Sequence, residues 1–209
     1  MKIDKLILGE LKTNCYFVSH EGTAIVIDPA CNGEAIEALL KKKNYQLKAI
    51  FLTHGHQDHI GAVDFLYDLY KCPVYAHYKE YPILTGNDQT KILQIPSLKG
   101  IKVSSPIKYF DKEFTSWTFD NIVLDAIFTP GHTEGSVTYV LRNAYRIFSG
   151  DTVFKEGVGR TDLPTSNADD LKNSIEIYKN FKAECKIHPG HGESTTVAYE
   201  KANSEYFKY

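Results

Sequence analysis

The chain has 209 residues, of which 43% are hydrophobic and 24% charged, and its formal net charge is −2. This length suits a single large domain, and the near-neutral charge argues against a nucleic-acid-binding surface or a binder of anionic membranes. No stretch reaches the roughly 20 apolar residues of a membrane span.

The first third predicts a β-meander followed by a helix. KIDKLIL alternates in hydrophobicity and is typical of a strand rather than a signal peptide. The segments NCYFVS and AIVID predict two more strands, and a helix is predicted over Gly33–Asn44. The cysteines form no CxxC pair, so without a secretion signal we expect free thiols in a cytoplasmic protein. They are Cys15, Cys31, Cys72 and Cys185.

The middle of the chain predicts strands that alternate with helices. KAIFLT and CPVYAH are short apolar strands, and GAVDFLYDLYK has helical spacing. Residues 79–105 are interrupted by proline and glycine and sustain no period. We expect a short helix there and a loop over the site.

The second half repeats this order. Five β segments are predicted: IKYF, EFTSWTF, IVLDAIFT, SVTYVLR and AYRIFS. A helix over Ala168–Lys182, a short strand KIHP and a last helix over Thr195–Asn203 follow. Two β-sheets packed face to face with helices outside, an αββα sandwich forming one domain over residues 1–209, account for both halves.

Four candidate metal ligands lie within six residues in the motif His54-Gly55-His56-Gln57-Asp58-His59. Gly55 permits a tight backbone path, so that His54 and His56 can face one ion. Asp58 and His59 lie where the next helix begins and can turn toward a second ion. Imidazole nitrogens and carboxylate oxygens are ligands that divalent transition metals prefer.

Three further candidates follow short apolar strands, as His54 follows IFLT. They are His132 after IFTPG, Asp151 after IFSG and His191 after IHPG. If these strands run in the same direction, all four loops lie along one edge of the sheets. His20, His77 and His188 lack this combination of motif and setting, and we do not expect them to be ligands.

The number of candidates suits two ions. We expect one ion on His54, His56 and His132, the other on Asp58, His59 and His191, and Asp151 between them. Zinc is the expected metal, with iron and manganese as alternatives, because the ligand types suit all three. Two divalent cations, two carboxylates and one hydroxide leave a net charge of roughly +1, which favours an anionic substrate.

Five motifs in this order and spacing resemble the metallo-β-lactamase superfamily: HGHQDH, GHTEGS, SGDTVF, GVGRTDLP and HPGHGESTT. Within it they are most similar to glyoxalase II-like hydrolases, over about residues 14–203. The resemblance implies the αββα fold and a dinuclear centre on the same seven residues. It also implies that Asp28, in IDPA, orients a ligand histidine or the metal loop, an ordinary Asp-Pro turn being the alternative.

Two features depart from the larger glyoxalase II enzymes. Glu134 stands where the family usually has proline, which should alter the loop beside His132 only slightly. Residues 192–209 resemble the end of the shorter, single-domain type. The larger enzymes have a further helical domain that supplies much of their glutathione binding.

The expected reaction is hydrolysis of a small anionic thioester, such as S-lactoylglutathione, by a hydroxide bridging the two ions. Asp58 is a ligand that can also take the proton of the attacking water. Arg160, in GVGRTD, is expected either to bind a substrate carboxylate or to pair with Asp162 within its own loop.

A mononuclear-iron persulfide dioxygenase is the main alternative. It would use His54, His132 and Asp151, and the presence of His191 argues against it. A lactonase, a β-lactamase and a nuclease are further hydrolase alternatives, the last two opposed by the missing secretion signal and basic arm. A redox or metal-binding protein of the flavodiiron type would have Glu in place of His56. The expected partner is thus a small molecule, with no nucleic acid and no membrane, and the sequence predicts no oligomeric state.

Overall fold

The computed structural model describes residues 1–208. A first six-stranded sheet contains its strands in chain order, antiparallel from the first to the third and parallel from the third to the sixth. Its strands are β1 (Lys2–Leu8), β2 (Thr13–His20), β3 (Thr23–Ile27), β4 (Gln46–Phe51), β5 (Val74–His77) and β6 (Ile107–Phe110).

The second sheet also has six strands, in the order β14-β13-β10-β9-β8-β7. They are β7 (Phe114–Phe119), β8 (Ile122–Phe128), β9 (Val137–Leu141), β10 (Arg146–Gly150), β13 (Lys186–Pro189) and β14 (Thr195–Thr196). A short hairpin of β11 (Val153–Phe154) and β12 (Gly157–Val158) follows β10. Because β9 is antiparallel to both β8 and β10, and β13 is parallel to β10, the strands β8, β10 and β13 run in the same direction. Their carboxyl ends therefore share one edge.

In the described part of the chain, six α-helices connect and cover the sheets: α1 (Gly33–Lys42), α2 (Gln57–Ile60), α3 (Val63–Tyr70), α4 (Tyr81–Thr85), α5 (Ala168–Lys179) and α6 (Val197–Asn203). The helix α1 ends two residues before its predicted end, since Asn44 adopts the left-handed conformation at φ 53°. The helix α5 ends three residues early, and Thr195 and Thr196 form a strand rather than the start of α6.

The core has three layers, which give the αββα sandwich predicted from the sequence. On β2, Phe17 faces the helices α1 and α3, whereas Tyr16 and Val18 face the second sheet. This alternation is the period of two that a strand imposes on its side chains. On the far side of the second sheet, Ile147 and Ile187 pack against the helices α5 and α6.

The segment 79–105 contains α4 and short 3-10 turns. It contacts two segments that carry predicted metal ligands, one after β4 and one after β8. Gln57 Nε2 donates to the Leu93 carbonyl oxygen at 3.3 Å, and Lys91 Nζ lies 3.0 Å from a Glu134 carboxylate oxygen. The expected short helix is confirmed, and the loop contacts residues beside the predicted ligands.

Cys15, Cys72 and Cys185 are buried and Cys31 is half-buried, all as free thiols. No helix within residues 1–208 combines the length and apolar character needed to cross a bilayer.

Candidate metal centre

The structure brings the seven predicted ligands together at the edge where strands of both sheets end. His54 and His56 follow β4, and the four-residue helix α2 carries Asp58 and His59. The remaining three follow β8, β10 and β13 and are His132, Asp151 and His191. All seven side chains are buried or half-buried.

The first group consists of His54, His56 and His132, whose candidate ligand atoms all lie within 4.8 Å of one another. His132 Nε2 is 3.0 Å from His56 Nδ1. His54 Nε2 is buried and has no hydrogen-bond partner. Since a buried polar atom without a partner is costly, this nitrogen suits a metal ligand.

The second group consists of Asp58, His59 and His191. Asp58 Oδ2 lies 3.2 Å from His191 Nε2 and 3.4 Å from His59 Nε2, and the two imidazole nitrogens are 3.3 Å apart. Ligands on a tetrahedral zinc ion are separated by roughly 3.3 Å, so this spacing fits one divalent ion.

Asp151 joins the two groups. Its Oδ1 lies 3.5 Å from His59 Nε2, and its Oδ2 lies 3.5 Å from His132 Nε2 and 3.4 Å from His191 Nε2. Oδ1 has no hydrogen-bond partner although it is buried. A carboxylate in this position suits a bridge between two ions.

Of the five histidines among the candidate ligands, four present Nδ1 to a protein group and leave Nε2 facing the other ligands. The partners of Nδ1 are Thr53 Oγ1 for His54, Asp28 for His59, the Arg160 carbonyl for His132 and the Leu11 carbonyl for His191. Acceptors of this kind fix the tautomer and the ring orientation of a metal-binding histidine.

Asp28 contacts the second ligand group directly and the first through Thr53. Its Oδ2 accepts from the Thr53 hydroxyl at 2.6 Å and lies 3.0 Å from His59 Nδ1, and its Oδ1 accepts from the Thr53 backbone N–H at 2.8 Å. Because the Thr53 hydroxyl donates to Asp28, its lone pairs are available to His54 Nδ1–H. The carboxylate thus contacts both a ligand histidine and the metal loop, as the resemblance implies, and Thr53 makes a contact that the sequence analysis missed.

Thr13 and Asn14, at the start of β2, were also missed. The Thr13 hydroxyl donates to Asp58 Oδ2 at 2.8 Å. Asn14 Nδ2 donates to the carbonyls of Pro189 and Gly192 on either side of His191. A single threonine in a β-prone segment carries no sequence signal for this contact.

Glu80 is the fourth missed residue, and it lies three residues after β5. It is 1% exposed, and burial raises its pKa to about 7 against three hydrogen bonds that lower it. Its Oε2 would lie 2.7 Å from a Cβ at Gly55. Gly55 does not have a positive φ, so this contact, rather than the tight backbone path inferred from the sequence, explains its need for glycine. The sequence analysis identified candidate ligands as polar residues that follow apolar strands. The same criterion applied to the strand CPVYAH could have indicated Glu80.

The two groups differ in charge. Burial lowers the pKa of His56 to about 3 and that of His54 well below its ordinary value. Burial also acts to lower the pKa of His59, but the charges of Asp58 and Asp151 outweigh it and raise that pKa to about 9. A metal ion in the second group would therefore displace protons, which links its affinity to pH.

Arg160 forms a bidentate pair with Asp162, with two nitrogen–oxygen distances of 2.6 Å, and both side chains are exposed. Of the two roles predicted for Arg160, the structure shows its pairing with Asp162 within the loop. The Arg160 backbone still belongs to the site, because its carbonyl is 3.1 Å from His132 Nδ1. A groove of about 650 Å³ between this loop and α5 is lined in part by Val158, Leu171 and Ile175.

A model of the metallo-β-lactamase superfamily matches residues 8–191. A probable metallo-hydrolase of Streptococcus pyogenes is 34% identical, over 99% of this chain and 90% of that protein. The hydroxyacylglutathione hydrolase GloC of Haemophilus influenzae is 26% identical, over 99% of this chain and 98% of that protein.

Solved structures agree with these relatives. The BLEG-1 B3 metallo-β-lactamase has a TM-score of 0.92 and 30% identity, and the match covers 100% of both chains. TTHA1623 in a di-iron-bound form has a TM-score of 0.84 and 29% identity, covering 97% of this chain and 99% of that one. The chain therefore belongs to the metallo-β-lactamase superfamily, as a metal-dependent hydrolase similar to its glyoxalase II-like members.

Proposed function

We propose that the protein hydrolyses small anionic thioesters with two divalent metal ions. The observation that carries this proposal is the carboxylate of Asp151, whose oxygens lie within 3.5 Å of His132 in the first ligand group and of His59 and His191 in the second. Two ions held in this way would supply an activated water at neutral pH and polarise the carbonyl under attack. The likeness to GloC of Haemophilus influenzae supports the choice of a thioester.

Asp58 is the proposed proton acceptor for the attacking water. Burial would raise its pKa, but His59 and His191 hold that pKa well below its ordinary value, so the carboxylate stays ionised at neutral pH. Thr13 fixes its Oδ2 at 2.8 Å, which leaves Oδ1 to orient a water.

Arg160 is proposed to bind a substrate carboxylate after exchanging its partner Asp162. Both side chains of the pair are exposed, so the pair contributes little net stability. Replacing Asp162 by a substrate carboxylate would therefore cost little free energy. The adjoining groove would hold the part of the substrate remote from the thioester. Zinc is the proposed metal, and the di-iron form of TTHA1623 supports iron as the alternative.

The test is hydrolysis of S-lactoylglutathione by protein whose metals are quantified in the same sample. We expect turnover with nearly two ions per chain and its loss in His56→Ala. Two bound ions without turnover would overturn the choice of this thioester while leaving a hydrolase. A single iron per chain without turnover would overturn the dinuclear proposal in favour of the persulfide dioxygenase.

β-Lactam hydrolysis is the second candidate, because BLEG-1 shares the fold over its whole length at 30% identity. A chromogenic cephalosporin offered to the same sample discriminates the two. Turnover of the cephalosporin well above that of the thioester would reverse the order of the candidates.

A further inference from the structure

A buried carboxylate lies between the two loops that carry the first ligand group. Glu80 ends the 3-10 turn Tyr78–Glu80, directly after β5, and is 1% exposed. On one side lies the loop with His54 and His56, and on the other the loop that begins at His132.

Each oxygen of Glu80 accepts from one of these loops. Oε2 accepts from the Gly55 backbone N–H at 2.6 Å. Oε1 accepts from the Gly135 backbone N–H at 2.8 Å and from the Thr133 hydroxyl at 2.6 Å. A buried carboxylate is tolerated only when it is paired or hydrogen-bonded, and three donors meet that need here.

Both loops are shaped around this side chain. A Cβ at Gly135 would lie 2.6 Å from Oε1, as a Cβ at Gly55 would lie 2.7 Å from Oε2. Any side chain at either position would push the carboxylate away and move the histidines beside it.

The second ligand group is held by different partners. Thr13 donates to Asp58, Asp28 lies against His59 Nδ1, and the Leu11 carbonyl lies against His191 Nδ1. The three hydrogen bonds of Glu80 reach Gly55, between His54 and His56, and two residues of the loop that begins at His132.

We propose that Glu80 is a positioning residue that sets the spacing of the His54–His56–His132 site alone. It touches neither the substrate nor the ion and acts by fixing the two loops relative to each other. The inference rests on the two-metal centre of the proposed function but not on its substrate.

The experiment compares Glu80→Gln with Thr13→Val in protein loaded with two zinc ions. Glutamine keeps the size of Glu80 but has one acceptor oxygen, and its NH₂ would face a donor from one loop. Chelator competition measures the two affinities, and anomalous scattering from crystals locates each ion. In Glu80→Gln we expect one affinity to fall about 10- to 100-fold, with reduced occupancy at the His54 side only.

Thr13→Val serves as the matched control, because it removes one hydrogen bond from the second group. We expect the complementary result, with the loss of affinity on the His191 side. If Glu80→Gln folds poorly, Thr133→Val replaces it in the experiment. This variant removes one donor to Glu80, and we expect a smaller loss of metal affinity at the His54 side.

Equal weakening of both ions in Glu80→Gln, or no weakening, would overturn the proposal. These readouts need no substrate, so absence of thioester turnover would leave it standing. If the unaltered protein binds a single ion, the two-metal function fails. Glu80 then keeps its role only if that ion lies on the His54 side and the variant weakens it.

Discussion

Asp28 is a residue outside the ligand set that reaches both ligand groups. It contacts His59 directly and His54 through the Thr53 hydroxyl. Mutation of a residue that orients metal ligands typically lowers metal affinity about 10- to 100-fold. A change here should therefore be felt by both ions, unlike a change at Glu80.

Asp28→Asn is expected to weaken both ions by about 10- to 100-fold, because an amide offers one acceptor oxygen in place of two. Chelator competition with zinc measures it. Asp125→Asn is the matched control, since Asp125 pairs with Arg142 in the second sheet. A loss confined to one ion would contradict the role given to Thr53.

His188 lies outside the candidate ligand groups. Its ring stacks on Phe148 with a centroid distance of 5.2 Å, and Nδ1 lies 3.1 Å from Ser194 Oγ. Burial, with the charges of Lys186 and Arg146, lowers its pKa to about 3. The ring is therefore neutral in the folded protein at neutral and mildly acidic pH.

The lowered pKa of His188 predicts a loss of stability in acid. Between about pH 6.5 and pH 3 the unfolded chain binds a proton that the folded chain does not, so the free energy of unfolding falls as the pH falls. In His188→Phe this loss should be smaller by about 1.5 kcal/mol between pH 6.5 and pH 5. Urea denaturation of metal-free protein at both pH values measures it, and parallel pH dependences of the two proteins would refute the assignment.

At the scale of elements, α5 supports the loop before His132. Its N-cap Asn167 accepts from the Asp170 backbone N–H at 3.0 Å, and the Asn167 N–H donates to the Gly131 carbonyl at 2.8 Å. Gly131 also packs closely against Leu171, since a Cβ there would lie 2.3 Å from the Leu171 backbone. The start of the helix thus fixes the loop that delivers a ligand.

Asn167→Ala should lower the free energy of unfolding by about 1 kcal/mol, because it leaves a helix N–H without its cap. For a protein of this size, the melting temperature should fall by roughly 2–4 °C. Asn167→Ser retains a capping oxygen and should lose much less. Equal losses in the two variants would show that the cap does not account for the effect.

At the scale of the whole molecule, the metal centre links the two sheets. The first group takes His54 and His56 from the first sheet and His132 from the second. Protein hydrogen bonds span the same gap, as when Asn14 Nδ2 donates to the Pro189 carbonyl at 2.9 Å. Bound ions would therefore stabilise the packing of one half on the other.

Removal of the ions with a chelator should lower the melting temperature. An ion present at about a thousand times its Kd stabilises the folded state by about 4 kcal/mol, so a shift of roughly 10 °C or more is expected. Calorimetry before and after dialysis against chelator measures the shift, and added zinc should reverse it. An unchanged melting temperature would contradict a metal that links the sheets.

The sequence alone predicted the sandwich and the seven residues that the structure gathers at its edge. Strand alternation and helical spacing are local properties, so the strands and helices could be predicted without a structure. The motif from His54 to His59 is local as well. The other three candidates shared a setting, since each follows an apolar strand.

Only the tertiary structure decided which residues hold these side chains in place. Glu80 meets Thr133 and Gly135 across more than 50 residues of chain, and Thr13 meets Asp58 across 45. The tertiary structure also showed that Arg160 pairs with Asp162, whereas the sequence left two roles open for Arg160. A period or a motif describes neighbours along the chain, whereas a hydrogen bond between loops depends on how two sheets pack, and that is a property of the folded molecule.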